Sequence, residues 1–232
     1  MPDRPIERAP CNADSPLRLG VLVSGSGAVL QLLIDGIAQS AAPATIEVVI
    51  GNRKEALALE RARSAGLTTR VVPREAFDSD DAYETALLEA LQTRDVEVVC
   101  LLDYDTLLGP ILLQPFKLRL LNLHLSLLPA FASDGPVRQA VEHGARIAGC
   151  TLYFVDENRL TGPILLQSAL YVWPEDSEES LAVRLGLLGG RLYLRGLRLL
   201  AEGRVSVEGR RVAIANAGKP DQCLEYAAAD PP

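Results

Sequence analysis

The sequence predicts an α/β fold: a doubly wound, mostly parallel sheet with helices on both faces. Short apolar runs alternate with amphipathic segments of helical period along residues 19–124. A Gly-rich turn, Gly25-Ser26-Gly27, follows the first run. The apolar share, 48% over 232 residues, is ample for a core built on such a sheet.

The elements follow in order. Residues 19–23 form a strand and 29–37 a helix. Residues 46–50 are the next strand, and 54–65 an amphipathic helix ended by Gly66. A strand at 69–72 leads to a helix at 80–92, whose first-turn acidic residues suit the helix dipole. Strands at 96–102 and 118–124 come next, then a helix at 137–143 stopped by Gly144. Longer strands at 150–155 and 164–173 read as an antiparallel edge. A helix at 176–201, capped by Asp176 or Ser177, carries Gly186, Gly189, Gly190 and Gly196, which implies either a break near 189–190 or close packing on the sheet. Its Leu stripe belongs to the core, with the homodimer seam as an alternative. Residues 205–207 and 212–214 pair as a hairpin around Glu208-Gly209. Residues 17–215 thus make one domain, with 1–16 expected as a disordered tail and 216–232 as a C-terminal tail.

Charge and cysteine usage narrow the function classes. Acidic residues outnumber basic ones 30 to 23, for a net charge of −7, which argues against a nucleic-acid surface. Cys11, Cys100, Cys150 and Cys223 form no Cys-x-x-Cys pair, and Cys100 and Cys150 read as buried thiols in a reducing cytoplasm. With 2 His and scattered Cys, no metal site is expected. Nor is a signal peptide or a transmembrane helix.

The most site-like stretch is Leu-Leu-Asn-Leu-His-Leu-Ser-Leu-Leu-Pro at 120–129. Alternate residues of a strand share a face, so Asn122 and His124 point the same way. A neutral imidazole beside a carboxamide moves a proton and polarises a carbonyl oxygen. The alternative is a hydrogen-bonded core histidine. Gly25, Ser26 and Gly27 lie where a strand hands over to a helix, a site for phosphate on backbone N–H groups or simply a tight turn. The third glycine of a dinucleotide fingerprint is missing. Asp103 and Asp105, on the loop after the fourth strand, read as a solvated acidic loop or a pair of oxygen ligands.

The run Asn122-Leu-His124-Leu-Ser126-Leu-Leu-Pro129 resembles the signature of folate-dependent formyltransferases, and the resemblance extends over residues 18–215. It includes Val-Leu-Val-Ser-Gly-Ser-Gly at 21–27, Leu-Glu-Arg-Ala-Arg at 59–63, Ala-Phe-Asp-Ser at 76–79, Arg-Gln-Ala at 138–140, Gly-Pro-Ile-Leu-Leu-Gln at 162–167 and Ala-Glu-Gly-Arg at 201–204. The branch it is most similar to formylates glycinamide ribonucleotide in purine synthesis. The resemblance implies a formyltransferase-type Rossmann-like fold. It implies 10-formyltetrahydrofolate as formyl donor and a small-molecule ribonucleotide as partner, with no nucleic acid, membrane or metal. It casts Asn122 and His124 as catalytic and Gly25, Ser26 and Gly27 as the phosphate loop. Departures come with it. Counting back from Gly162-Pro163 puts Leu160 where the family carries an Asp that orients the His, and ungapped counting puts Gly189 where a Glu holds the substrate amine. Ala28 and Val29 replace polar loop residues, and Asp103 and Asp105 stand at small or apolar positions. Together these predict a degenerate member with impaired transfer. The alternatives are an inactive scaffold or ligand-binding protein, and a formyltransferase or deformylase with another acceptor.

Overall fold

Residues 19–23 are an apolar run with no polar face, and a strand of that kind must be covered on both sides. In the computed structural model, which describes residues 15–157, 160–216 and a strand at 224–227, this segment lies in the inner strand β1 (Leu17–Val23). The chain then runs α1 (Ala28–Ala38), β2 (Ala44–Gly51), α2 (Leu57–Ser64), β3 (Thr69–Val71), α3 (Asp80–Gln92), β4 (Val98–Leu102), α4 (Pro110–Leu113) and β5 (Leu120–His124). It continues with α5 (Pro136–Glu142), β6 (Ile147–Phe154), β7 (Ile164–Tyr171), α6 (Glu178–Ala201), β8 (Val205–Glu208), β9 (Arg211–Ile214) and β10 (Leu224–Ala227).

An 8-stranded sheet has the order β10-β7-β6-β5-β4-β1-β2-β3, and β8 and β9 form a separate hairpin. β1 pairs in parallel with both β2 and β4, and β4 with β5. β6 is antiparallel to β5 and β7, so the predicted antiparallel edge is present. The chain winds outward from β1 to β3, then returns to β4 on the other side of β1. That reversal is a topological switch point, and it opens a crevice at the carboxyl ends of β1 and β4.

Alternation along β4 feeds two cores. Val98, Cys100 and Leu102 join the layer under α1, α2, α5 and α6. Val99 and Leu101 join the layer of Tyr83, Leu87 and Leu91 from α3 and Leu112 from α4. Burial pushes the Cys100 and Cys150 thiols up to about 12, so both remain protonated core groups.

α6 is an unbroken helix of 24 residues, and its glycines serve close packing. A Cβ at Gly189 would lie 2.5 Å from Leu123 Cδ2, one at Gly190 2.5 Å from Leu32 Cδ1, and one at Gly196 would run into Leu152. Its start is fixed by a capping box between Ser177 and Ser180. Nearby, Arg184 pairs with the buried Asp176 carboxylate and stacks 3.5 Å from the Trp173 ring centre.

Some boundaries differ from expectation. α2 begins at Leu57 instead of 54, because Asn52 and Arg53 are engaged with Asp105. A 3-10 turn at Arg74–Ala76 and the short α4 have too few residues to show a period. α4 is held from outside itself: the buried Glu84 carboxylate accepts the Gly109 N–H and, at 3.2 Å, the Leu112 N–H. β10 lies within the segment expected as a C-terminal tail and pairs in parallel with β7, so that segment is not uniformly irregular. Of the expected N-terminal tail, residues 1–14 fall outside the described residues.

Two substitutions test this packing. Gly149→Ala drives a methyl into the Ser168 carbonyl of the paired strand and into Leu127. Overpacking of this kind costs about 1–3 kcal/mol, so Tm by calorimetry should fall by about 2–12 °C. A Cβ at Gly186 meets nothing within 4 Å, so Gly186→Ala on α6 should raise Tm by about 2–4 °C through helix propensity.

Candidate functional site

A cleft of about 500 Å³ opens at the carboxyl edge of the sheet. Its walls are the loop after β4, the end of β5, the loop 133–136, the end of β6 with the residues after it, and the first turns of α6. Asn122 and His124 both line it, as the alternation along β5 requires.

The β5–β6 register chooses their supports. Asn122 faces Tyr153 across the ladder and donates to its hydroxyl at 2.8 Å. His124 faces Thr151. The Thr151 hydroxyl donates to the Ser126 carbonyl at 2.7 Å and accepts the Leu128 N–H at 3.0 Å. Gln167 donates to the Leu128 carbonyl at 3.0 Å and to Thr151 Oγ1 at 2.9 Å. Ser126 donates to the Ala130 carbonyl at 2.6 Å. These bonds shape the turn that brings the Phe131 carbonyl to 3.1 Å from His124 Nε2. A carbonyl only accepts, so Nε2 carries the proton and Nδ1 is the basic atom of the neutral ring.

The 25–27 loop lies beside this cleft and does not line it. Gly27, at φ 74, is the N-cap of α1, and a Cβ there would come within 2.6 Å of Ala58 Cα. The Ala58 N–H donates to the Gly25 carbonyl at 3.3 Å, and Arg61 Nε to the Ser26 carbonyl at 3.0 Å. The loop is therefore pinned onto α2. Between it and the cleft stand two carboxylates. A Cβ on Gly25 would lie 3.2 Å from Asp103 Cβ. Asp105 accepts from Ser24 Oγ at 2.9 Å and Asn52 Nδ2 at 2.7 Å, and forms an ion pair with Arg53. Asn52 also donates to Thr106 at 2.9 Å.

The charge of the described lining is one-sided. Asp103, Asp105, Asp134, Asp156, Glu157 and Glu178 line it, with no Lys or Arg among the described lining residues. The side chain of Leu160, at φ 58, adds an apolar wall. Gly189 sits behind Leu123, itself a lining residue, so any side chain at 189 must displace that leucine. Asp156 accepts from Thr161 Oγ1 at 3.2 Å. Among the described residues no group of three or more His, Cys, Asp or Glu is placed to hold a metal ion.

The two loop aspartates are pushed in opposite directions. Crowding by the cleft walls raises the Asp103 carboxyl above the ordinary range although its edge touches solvent. Burial would raise Asp105 too, but hydrogen bonds from Asn52 and Ser24 and the Arg53 charge outweigh it and hold the carboxyl below its ordinary value. Ser24, Asn52 and Arg53 were not legible as site residues; no motif links them to a loop more than fifty positions away.

A doubly wound α/β sheet thus places Asn122 and His124 together in a cleft at its carboxyl edge, and comparison with known proteins supplies the family. A profile described as formyl transferase matches residues 17–197. Phosphoribosylglycinamide formyltransferase of Escherichia coli (strain K12) is 33% identical over 191 residues, 82% of this chain and 90% of that protein. The trifunctional purine biosynthetic protein adenosine-3 of Drosophila pseudoobscura pseudoobscura is 39% identical over 188 residues, 80% of this chain and 14% of that protein, so the chain spans only a small part of that relative. Glycinamide ribonucleotide transformylase 1 from Symbiobacterium toebii superposes with a TM-score of 0.83 at 44% identity, over 86% of this chain and 94% of that one. The chain belongs to the formyltransferase family. No helix among the described residues is long and apolar enough to cross a membrane.

The raised Asp103 carboxyl gives a sign to a pH experiment. A folded value above the unfolded one means that ionised Asp103 opposes folding, and the penalty vanishes as pH falls through the raised value. Asp103→Asn, tolerated at its φ of 50, should raise Tm at pH 7. The group is open to solvent, so the gain is about 1–2 °C, and it should disappear in melts at acid pH.

Proposed function

We propose that this chain is a formyltransferase-family protein that keeps the scaffold and the Asn122–His124 pair but transfers formyl groups from 10-formyltetrahydrofolate to glycinamide ribonucleotide only near background. In the family reaction the substrate amine attacks the formyl carbon, a new C–N bond forms, and the bond to the folate nitrogen breaks as that nitrogen takes up the proton. Asn122 is positioned to donate to the developing oxyanion, and His124 to handle the proton. The observation that carries the reading is Leu160 in the wall of the cleft that holds His124. An alkyl chain neither takes a proton nor orients an imidazolium. Gly189, which has no side chain to hold the amine, and the acidic lining, which repels the phosphate, support the same reading. The protein is accordingly read as cytoplasmic, with folate and a ribonucleotide as partners only where activity survives.

A second reading has a specific observation behind it. Water needs neither a phosphate seat nor an amine anchor, so the closed-off phosphate loop is compatible with hydrolysis of the formyl donor. A protein described as a formyltetrahydrofolate deformylase, from Pseudomonas syringae pv. tomato str. DC3000, has a TM-score of 0.78 at 25% identity, covering 87% of this chain and 67% of that one.

Turnover of 10-formyltetrahydrofolate with and without glycinamide ribonucleotide separates the readings. The unmodified chain should show near-background transfer; loss of a charged partner of a catalytic His is worth on the order of 10⁴ in rate in the protease triad. Leu160→Asp should raise transfer, and Gly189→Glu should add to it only when combined with Leu123→Ala, which makes room for its side chain. Robust ribonucleotide-dependent turnover by the unmodified chain would overturn the proposal and make Asp156 or Glu157 the replacement carboxylate. Turnover without ribonucleotide would favour the deformylase.

A further inference from the structure

We propose that Asp105 is a built-in anionic ligand: its carboxylate fills an oxyanion seat made by Ser24, Asn52 and Arg53 at the ends of β1 and β2, and so keeps phosphate-bearing molecules out of that end of the cleft. The inference rests on the reading above and names the residue behind one part of it.

The seat is built, and it is buried where it matters. Ser24 is 7% exposed and Asn52 4%. Both donate to one oxygen of Asp105, at 2.9 and 2.7 Å, and Arg53 pairs with the other. The Ser24 hydroxyl also accepts the Asp105 N–H at 3.1 Å, which clamps the loop in place. Arg53 and Asp105 are exposed to 60% and 44%, so their ion pair alone would hold little. The buried hydroxyl and carboxamide fix the carboxylate, and the guanidinium adds charge. A hydroxyl, a carboxamide N–H and a guanidinium form a donor set suited to any small oxyanion, phosphate included. Here the chain supplies the oxyanion itself.

Asn52 gives an independent sign that the seat is directed at an anion. Its Nδ2 is committed to Asp105 and Thr106, while Oδ1 is buried with no hydrogen-bond partner. Leaving an acceptor unsatisfied in the interior is unfavourable, and it is tolerated when the same side chain must present its N–H groups elsewhere. The location matters as well. Ser24 directly precedes Gly25, and the Asp103 carboxylate lies against Gly25 itself. One carboxylate therefore lies against Gly25 and the other is held by the residue before it, and both oppose an anion at this turn.

The test is calorimetric titration of the full chain with inorganic phosphate and with ribose 5-phosphate, at pH 7 and fixed ionic strength. The unmodified chain should bind neither measurably. Asp105→Ala should bind both at least about tenfold tighter, because a competing charge is gone and its donors are left unpaired. Asp105→Asn keeps the shape and loses the charge, and should fall between. Adding Asn52→Ala to Asp105→Ala should remove most of the gain. If a variant is too unstable to titrate, melting replaces calorimetry: phosphate should raise the Tm of the variant and not that of the parent. Equal phosphate affinity in the parent and both variants, or a gain that survives loss of Asn52, would overturn the inference. Robust formyl transfer by the unmodified chain would overturn the proposed function yet leave the phosphate result standing, so the two failures are distinguishable.

Discussion

One carboxylate ties the ends of three strands together at the switch point of this sheet. Asp105 follows β4, Ser24 follows β1, and Asn52 and Arg53 follow β2, and all meet at its oxygens. These strands are neighbours only because the chain reverses its winding between β3 and β4. The 103–109 loop gains further support from below, where Tyr104 meets Tyr83 and where buried Glu84 holds the start of α4. The loop is thus a fixed wall of the cleft, and its charge is a permanent part of the cleft's chemistry.

The opposite wall is conservative in the physical sense. The antiparallel register of β5 on β6 sets Tyr153 against Asn122 and Thr151 against His124. Thr151, Ser126 and Gln167 then shape the turn whose Phe131 carbonyl fixes the tautomer of His124. Scaffold and the Asn122–His124 pair are one construction, since both are themselves strand residues. Leu160 and the loop aspartates stand on loops, where side-chain charge is set without disturbing that ladder.

The fold was legible where the sequence repeats a period. The helix expected at 80–92 is α3 to the residue, because Ser79 caps it and its acidic first turn marks the start. Asn122 and His124 were placed in one cleft by alternation alone. Elements set by tertiary contact were not legible. α4 depends on a carboxylate from α3, and the start of α2 on the pull of Asp105 at residues 52 and 53. For α6 the sequence left a break and close packing both open, since a helical glycine does not reveal whether a leucine lies against it. The site was half legible for the same reason. Asp103 and Asp105 stand out as charges on a post-strand loop, but nothing local shows that one caps the glycine turn and the other fills a seat.

On the proposed reading the cleft does not complement an anionic nucleotide, although the chain keeps the family's framework. Calorimetric titration of the unmodified chain with glycinamide ribonucleotide itself, in the absence of folate, tests it most directly. The account predicts affinity no better than about 1 mM, roughly −4 kcal/mol. Saturable binding near 1 μM, about −8 kcal/mol, would contradict it and show that the backbone of the 25–27 loop outweighs the two carboxylates beside it.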